Sequence, residues 1–175
     1  PAQIDFENRI AIDLLKIEDQ HPQSMVVLED ESRNIGARHI PHYFADRMAQ
    51  SQFVVIDMDF DQRLERLWQE YVVQRYLRTM AYFGASGEQE FARYLRESLL
   101  RVQKRLGGQR TKELLASMDA AIEVQHQDNF ASHLHWLRVI TREYYDPMYS
   151  YQLEKKKELV VFRGPREEVV EWLQR

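Results

Sequence analysis

An α/β fold, a parallel sheet carrying a large helical lobe, is what this chain of 175 residues predicts, and three observations carry it. Short β-rich apolar runs at residues 25–28, 53–56 and 159–162 are each bounded by turn residues or charge, as buried strands are. Stretches of helical periodicity separate them, which argues for parallel strands joined by crossovers. The connection from Ile56 to Leu159 is far too long for one crossover, so most of it has to build a lobe of its own.

In chain order, residues 4–18 place Ile10, Leu14 and Ile17 at helical spacing with acids near the start, and the pattern stops before His21-Pro22. Met25, Val26, Val27 and Leu28 then form a buried strand running straight into Glu29, Asp30 and Glu31. Pro41 opens a short helix ending near Gln50, and Phe53, Val54, Val55 and Ile56 make a second buried strand closed by Asp57. A helical stretch from Asp61 to about Tyr82, rich in good helix formers, ends in the loop Phe83-Gly84-Ala85-Ser86-Gly87. Residues 88–106 read as a long amphipathic helix stopped by Gly107-Gly108, and Thr111 caps another that runs to about Gln127. A third, from about Asn129 to Glu143, ends before Asp146-Pro147. Residues 159–162 are the last strand, Gly164-Pro165 turns it, and a closing helix to Leu173 has proline at its first position. Three regions result: a partial α/β domain at 1–62, a helical lobe at 63–157, and a strand and helix at 158–175 that return to the α/β domain.

Composition narrows the function classes. The absence of cysteine excludes disulfides, thiolate zinc sites and thiol nucleophiles within these residues. No run approaches the roughly 18 to 20 apolar residues of a membrane span, and the first residues lack a basic stretch followed by an apolar one, so the expected location is the cytoplasm. The net charge of −4 hides a segregation: residues 1–62 sum to −7, residues 63–110 to +5 and residues 111–175 to −2. Only the middle stretch offers a surface for a phosphate backbone.

Glu29, Asp30 and Glu31 follow a strand's carboxyl end, where open α/β sheets bind ligands and where P-loop domains keep the carboxylates that manage a metal-bound phosphate. Yet no Gly-rich loop ending in Gly-Lys-Ser/Thr occurs anywhere, so the sheet is at most a partial P-loop NTPase-like one. The same acids also fit a solvated turn after a core strand. Asp57, Asp61, Arg63 and Arg66 repeat the pattern of strand, acidic turn and arginine-bearing helix, in which planar guanidinium forks hold phosphate oxygens. An amphipathic helix laced with salt bridges would look alike.

Arg75, Arg78, Arg93, Arg96, Arg101, Lys104, Arg105 and Arg110 are interleaved with Tyr76, Tyr82, Phe83 and Tyr94, the mixture that grips RNA phosphates and unstacked bases. Core aromatics beside solvent-facing arginines are the other reading. Tyr144, Tyr145, Tyr149 and Tyr151, with Met148 among them, could wall an apolar pocket or simply pack. The histidines, His133 and His135 among them, are expected at the surface or in caps rather than on a metal.

Three separated motifs add a resemblance: Gln3-Ile4-Asp5-Phe6-Glu7-Asn8, then Leu28-Glu29-Asp30-Glu31-Ser32-Arg33 with Ile35-Gly36, then Tyr144-Tyr145-Asp146-Pro147-Met148-Tyr149. Together they resemble the C-terminal P-loop domain of bacterial tRNA 2-selenouridine synthase, in order along essentially the whole chain. In that family a rhodanese domain with a catalytic cysteine and the phosphate-binding loop come first; neither occurs in this sequence. The resemblance implies an enzyme that geranylates the wobble 2-thiouridine of tRNA with geranyl diphosphate and then forms 2-selenouridine with selenophosphate. It implies Glu29, Asp30 and Glu31 as catalytic carboxylates, with Glu29 and Asp30 toward Mg2+. It further implies phosphate contacts from Arg33, Arg38, Arg63 and Arg66, and RNA contacts from Arg75, Arg78, Arg93, Arg96, Arg101, Lys104 and Arg105. An apolar pocket would fall at Tyr144, Tyr145, Met148 and Tyr149. The partners implied are the tRNA anticodon loop and the upstream rhodanese and P-loop segments, and this chain alone would be inactive. The alternative is a non-catalytic helical module for RNA binding or dimerisation.

Overall fold

Where strands are few and short and helices long, the helices carry the core, and that is the case here. The computed structural model describes residues 2–30, 33–125 and 130–175. They fall into two units, Pro1–Phe53 and Val54–Arg175.

The first unit begins with α1 (Gln3–Gln20), none of whose residues is buried. Its start is tied down locally: the Ala2 N–H donates to the Asp5 carboxylate at 2.8 Å. The Gln3 amide clamps His39, donating to its carbonyl at 2.8 Å and accepting from its N–H at 3.2 Å. His39 belongs to a small antiparallel hairpin, β1 (Asn34–Ile35) and β2 (Arg38–His39), with Asn34 opposite His39 and Ile35 opposite Arg38. Gly36, at φ +61°, takes the first position of the two-residue turn, a conformation that suits a residue without Cβ. The hairpin follows the acidic run and is not legible in the hydrophobic pattern. α2 (His42–Ala49) starts at Pro41, as expected, and Arg33 pairs with its Asp46 at 2.7 Å.

The expectation of a buried strand at residues 25–28 is overturned. These residues form no strand and join no ladder among the described residues, and Met25 and Val27 are 69% and 55% exposed. β-branched side chains favour extended backbone, but a strand also needs a neighbouring edge to bond, and no described segment supplies one.

The second unit opens with β3 (Phe53–Ile56), which pairs in parallel with β4 (Val160–Gly164). The Asp57 N–H extends the pairing to the Gly164 carbonyl at 2.8 Å, and the Arg163 guanidinium closes on the Asp57 carboxylate. α10 (Arg166–Leu173) folds back on this pair, stacking Trp172 on Phe162 with ring centres 5.4 Å apart and burying Val169. Pro165 is the residue before this helix rather than its first. A parallel pair spanned by a long helical excursion is the α/β class with a large helical lobe.

Between those strands run α3 (Phe60–Trp68), a π-helical turn at Gln69–Gln74, α4 (Arg75–Phe83), α5 (Gly87–Arg101), α6 (Gln103–Leu106), α7 (Gly108–Val124), α8 (Leu134–Ile140), a second π-helical turn at Thr141–Tyr145, and α9 (Asp146–Lys155). Asp59 caps α3 by accepting from the N–H groups of Asp61 and Gln62. Leu64, Val72, Tyr76, Phe91, Leu95, Leu114, Met118 and Ile140 interlock in one hydrophobic core.

Three sequence expectations are corrected here. Thr111 does not cap a helix: it lies inside α7, 2% exposed, and its hydroxyl donates back to the Gly107 carbonyl at 2.8 Å. Asp146-Pro147 does not end a helix: helical backbone runs from the π-helical turn at Thr141–Tyr145 straight into α9, and Pro147, which has no N–H to donate, sits at the junction. His133 is not a surface residue, and although it holds the N-cap position of α8 its side chain makes no cap hydrogen bond. It is fully buried, accepting from the Trp136 indole N–H at Nδ1 (3.0 Å) and meeting Gln125 at Nε2 (2.9 Å).

Candidate functional site

A cavity of about 410 Å³ opens in the helical unit, within the size range of small-molecule sites. Its floor is apolar: Leu67 from α3, Leu95 and Leu99 from α5, Met118 from α7, and Leu137 and Ile140 from α8. Its polar wall holds Arg63, Tyr71, Tyr94, Arg101, Thr141, Tyr145 and Asp146. The two π-helical turns both deliver residues to this wall, Tyr71 from the first and Thr141 and Tyr145 from the second. Such single-turn irregularities re-aim side chains and recur at functional sites.

The wall is electrostatically specific. Arg63 grips Asp146 with both terminal nitrogens, at 2.7 and 2.9 Å, while its buried Nε has no acceptor among the described residues. A buried donor without a partner costs free energy unless something accepts from it, so this atom marks where a ligand oxygen would be welcome. Burial pushes the Tyr145 phenol above its usual range, and the neighbouring tyrosines add to that, so the group stays protonated and able to donate. Two further cations reach the wall's aromatic residues from outside the lining. Arg75 lies 4.2 Å over the Tyr94 ring, and Arg105 donates to the Tyr144 hydroxyl at 3.3 Å, with Tyr144 edge-on to Tyr145. An apolar floor beneath a guanidinium rim suits an amphiphile with a hydrocarbon tail and an anionic head.

Of the residues that the sequence assigned to phosphate, RNA and apolar-pocket roles, Arg63, Arg101, Tyr145 and Tyr149 line the cavity, while Arg75 and Arg105 connect to it through Tyr94 and Tyr144. Met148 lies beside Arg105, its sulfur 4.0 Å from Nη1. Arg66, Arg78 and Lys104 are exposed on their helices. Arg93 is held between Glu90 and Glu97, and Arg96 pairs with Asp119, so those two cations are partly neutralised within the chain. In the first unit Arg33 is engaged by Asp46, and Arg38 donates to the Ala37 carbonyl at 3.1 Å. Glu29 and Asp30 are exposed after Leu28, and Glu31 lies outside the described residues. Carboxylates at Glu29 and Asp30 are hard oxygen donors of the kind Mg2+ takes, but no group of three or more His, Asp or Glu side chains among the described residues is arranged for a metal.

Sequence reasoning missed the floor of the cavity and Arg142. Arg63, Arg138 and Arg142 surround the Phe60 ring at 5.5, 5.5 and 4.3 Å from its centre. Only the spacing of Arg138 and Arg142, one turn apart, hinted at a shared face. A second depression, about 490 Å³ and lined in part by Leu153, Val160 and Arg163, has its basic groups paired, Lys157 with Glu154 and Arg163 with Asp57. No helix among the described residues is long and apolar enough to cross a membrane.

Across residues 1–175 the chain matches the family described as the tRNA 2-selenouridine synthase AAA domain. It is 43% identical over 174 residues to proteins named tRNA 2-selenouridine synthase from Salmonella paratyphi B, Salmonella newport and Salmonella agona. Those alignments cover 98% of this chain and 48% of each relative, so the chain spans about half the length of the curated relatives it matches. No solved structure matches it.

Proposed function

From the premise that the chain belongs to the tRNA 2-selenouridine synthase AAA-domain family, we propose that it is part of a tRNA-modifying transferase. That enzyme converts wobble 2-thiouridine to 2-selenouridine through an S-geranyl intermediate, and the cavity of the helical unit seats the geranyl chain. The observation that carries this reading is the combination of apolar floor and cationic rim in one cavity.

Each methylene moved from water onto Leu95, Leu99, Met118 and Ile140 contributes about 0.8 kcal/mol, so a geranyl tail has a sizeable incentive to enter. Its diphosphate would then lie at the rim. As the 2-thio sulfur of the base bonds to the first carbon of the chain, the carbon–oxygen bond breaks and negative charge gathers on the leaving diphosphate. The guanidinium groups of Arg63 and Arg101, and the protonated phenol of Tyr145, all of which line the cavity, would stabilise that charge. In the second step, the selenium of selenophosphate bonds to the same base carbon as the carbon–sulfur bond breaks and the geranyl thiolate leaves, taking a proton from solvent; water then cleaves the selenium–phosphorus bond, releasing phosphate and leaving selenium on the base. Selenophosphate is again an anion suited to arginine. Glu29 and Asp30, in the first unit, offer the hard carboxylate oxygens that would hold Mg2+. The catalytic thiol of a rhodanese domain would have to come from outside these 175 residues, which contain no cysteine.

The test is calorimetric titration of the longer protein containing this chain with geranyl diphosphate and with inorganic diphosphate. Geranyl diphosphate is expected to bind more tightly. Ser98→Phe, which fills the wall from α5, should weaken geranyl diphosphate by about tenfold or more while leaving diphosphate unchanged. Equal affinity for the two ligands, or indifference to Ser98→Phe, overturns the reading. Geranylation and selenation of tRNA should appear with the longer protein and not with this chain alone.

A further inference from the structure

Tyr82 is the most anomalous side chain on the surface of the helical unit: 83% of it is exposed, at the tip of the hairpin formed by α4 and α5. Phe83 beside it is 44% exposed, and the two rings meet edge to face with centres 4.7 Å apart. Residues 81–86 are all exposed, so nothing in the fold of this unit shields the pair. Leaving two large rings in water is unfavourable by the same area argument that buries Phe91 and Val72 one layer below.

The surroundings indicate what the rings are for. Arg75, Arg78 and Tyr82 follow one another at i, i+3 and i+7 on α4, a single stripe about 10 Å long. Arg78 makes no ion pair with any described residue, unlike Arg93 and Arg96 on the facing helix. A surface destined for a protein core is depleted in charge at its centre. Residues 25–28, apolar and without a cation among them, have that character, and the hairpin tip does not. Aromatic faces flanked by unpaired arginines are the chemistry of a single-stranded nucleic acid: the rings stack on unpaired bases and the guanidinium groups hold the adjoining phosphates.

We infer that Arg78, Tyr82 and Phe83 form a stacking platform for unpaired bases of an RNA loop, outside the cavity lining and one turn along α4 from Arg75, which reaches the cavity through Tyr94. This rests on the reading that the chain acts on tRNA and adds the surface that would hold the loop. The sequence alone could not separate these aromatics from Tyr76, which is 4% exposed and packs on Phe91 and Phe130.

The experiment uses the longer protein containing this chain and two labelled probes: an RNA hairpin with a seven-base loop, and a blunt duplex of the same stem. Tyr82→Ala with Phe83→Ala should weaken the hairpin roughly five- to a hundred-fold and leave the duplex unchanged. Tyr82→Trp should retain affinity, and its emission should be quenched by the hairpin alone. Arg78→Ala should lower the salt dependence of hairpin binding by about one counterion. Equal losses for hairpin and duplex, no loss at all, or a change in self-association without a change in RNA affinity would each overturn the platform. Geranyl diphosphate titration of the same double variant keeps the two proposals apart, since cavity binding should survive it. A parent protein that binds no hairpin overturns the platform and the tRNA reading together.

Discussion

Arg63 and Asp146 meet fork to fork, Nη1 to Oδ1 at 2.7 Å and Nη2 to Oδ2 at 2.9 Å, although 83 residues separate them. The pair joins α3 to the first turn of α9 at the edge of the cavity, so one contact both ties helices together and presents a cation to whatever enters. Its side chains remain 37% and 27% exposed, which places it between a surface ion pair and a buried one.

Separating the two roles gives the first prediction. Asp146→Asn keeps the shape but removes the charge, and should lower stability in urea by about 1 kcal/mol. It should also leave Arg63 more available, so inorganic diphosphate binds the longer protein no more weakly than before. Arg63→Ala should lower stability similarly and weaken diphosphate as well. Identical binding by the two variants would mean that Arg63 serves structure only.

Much of this arrangement is written in recognisable residues. Phe53–Ile56 and Val160–Gly164 announce themselves as strands because each is a short β-rich run with punctuation on both sides. The tyrosines at 144, 145 and 149 leave a pocket wall and ordinary packing equally open in the sequence; Tyr145 and Tyr149 line the cavity and Tyr144 packs edge-on against Tyr145. Residues 25–28 show the limit of such reasoning: an apolar run is compatible with a strand, but pairing depends on an edge elsewhere in the chain. The π-helical turns leave no periodic signature, since one inserted residue shifts the register without changing composition. The role of His133 depends on Trp136 and Gln125 converging around it, and a histidine in a polar-looking stretch does not reveal that.

That histidine makes stability depend on pH. Burial pushes the His133 pKa down from 6.5 to about 4, so as the pH falls the unfolded chain takes up the proton first. The neutral imidazole is favoured in the folded state, and its contribution is fully present above pH 6.5 and lost as the pH drops toward 4. The loss amounts to about 3 kcal/mol over that window. His133→Gln, which keeps a donor and an acceptor but cannot titrate there, should be less stable at pH 7 yet lack this part of the acid slope. Urea midpoints at pH 7, 5.5 and 4 for both proteins measure the difference, and matching slopes would remove His133 as the cause.

The hairpin that supports Tyr94 and Leu95 on one helix and the exposed aromatic tip on the other depends on a close approach at Gly87. A Cβ there would lie 2.5 Å from the Met80 sulfur and 2.9 Å from the Met80 Cα. The sulfur ends a flexible side chain and can swing away; the Cα is backbone and cannot move without carrying α4 with it. Gly87 already has helical angles, φ −58° and ψ −41°, so alanine gains a few tenths of a kcal/mol from the unfolded state and loses more to the forced separation of helices. Gly87→Ala should therefore destabilise by about 1 to 2 kcal/mol. Adding Met80→Ala removes the sulfur and leaves the clash with the backbone of α4, so the double variant should show little recovery beyond the separate cost of the lost methionine. Full rescue by Met80→Ala in a double-mutant cycle would show that the side chain, and not the backbone, sets the distance between α4 and α5.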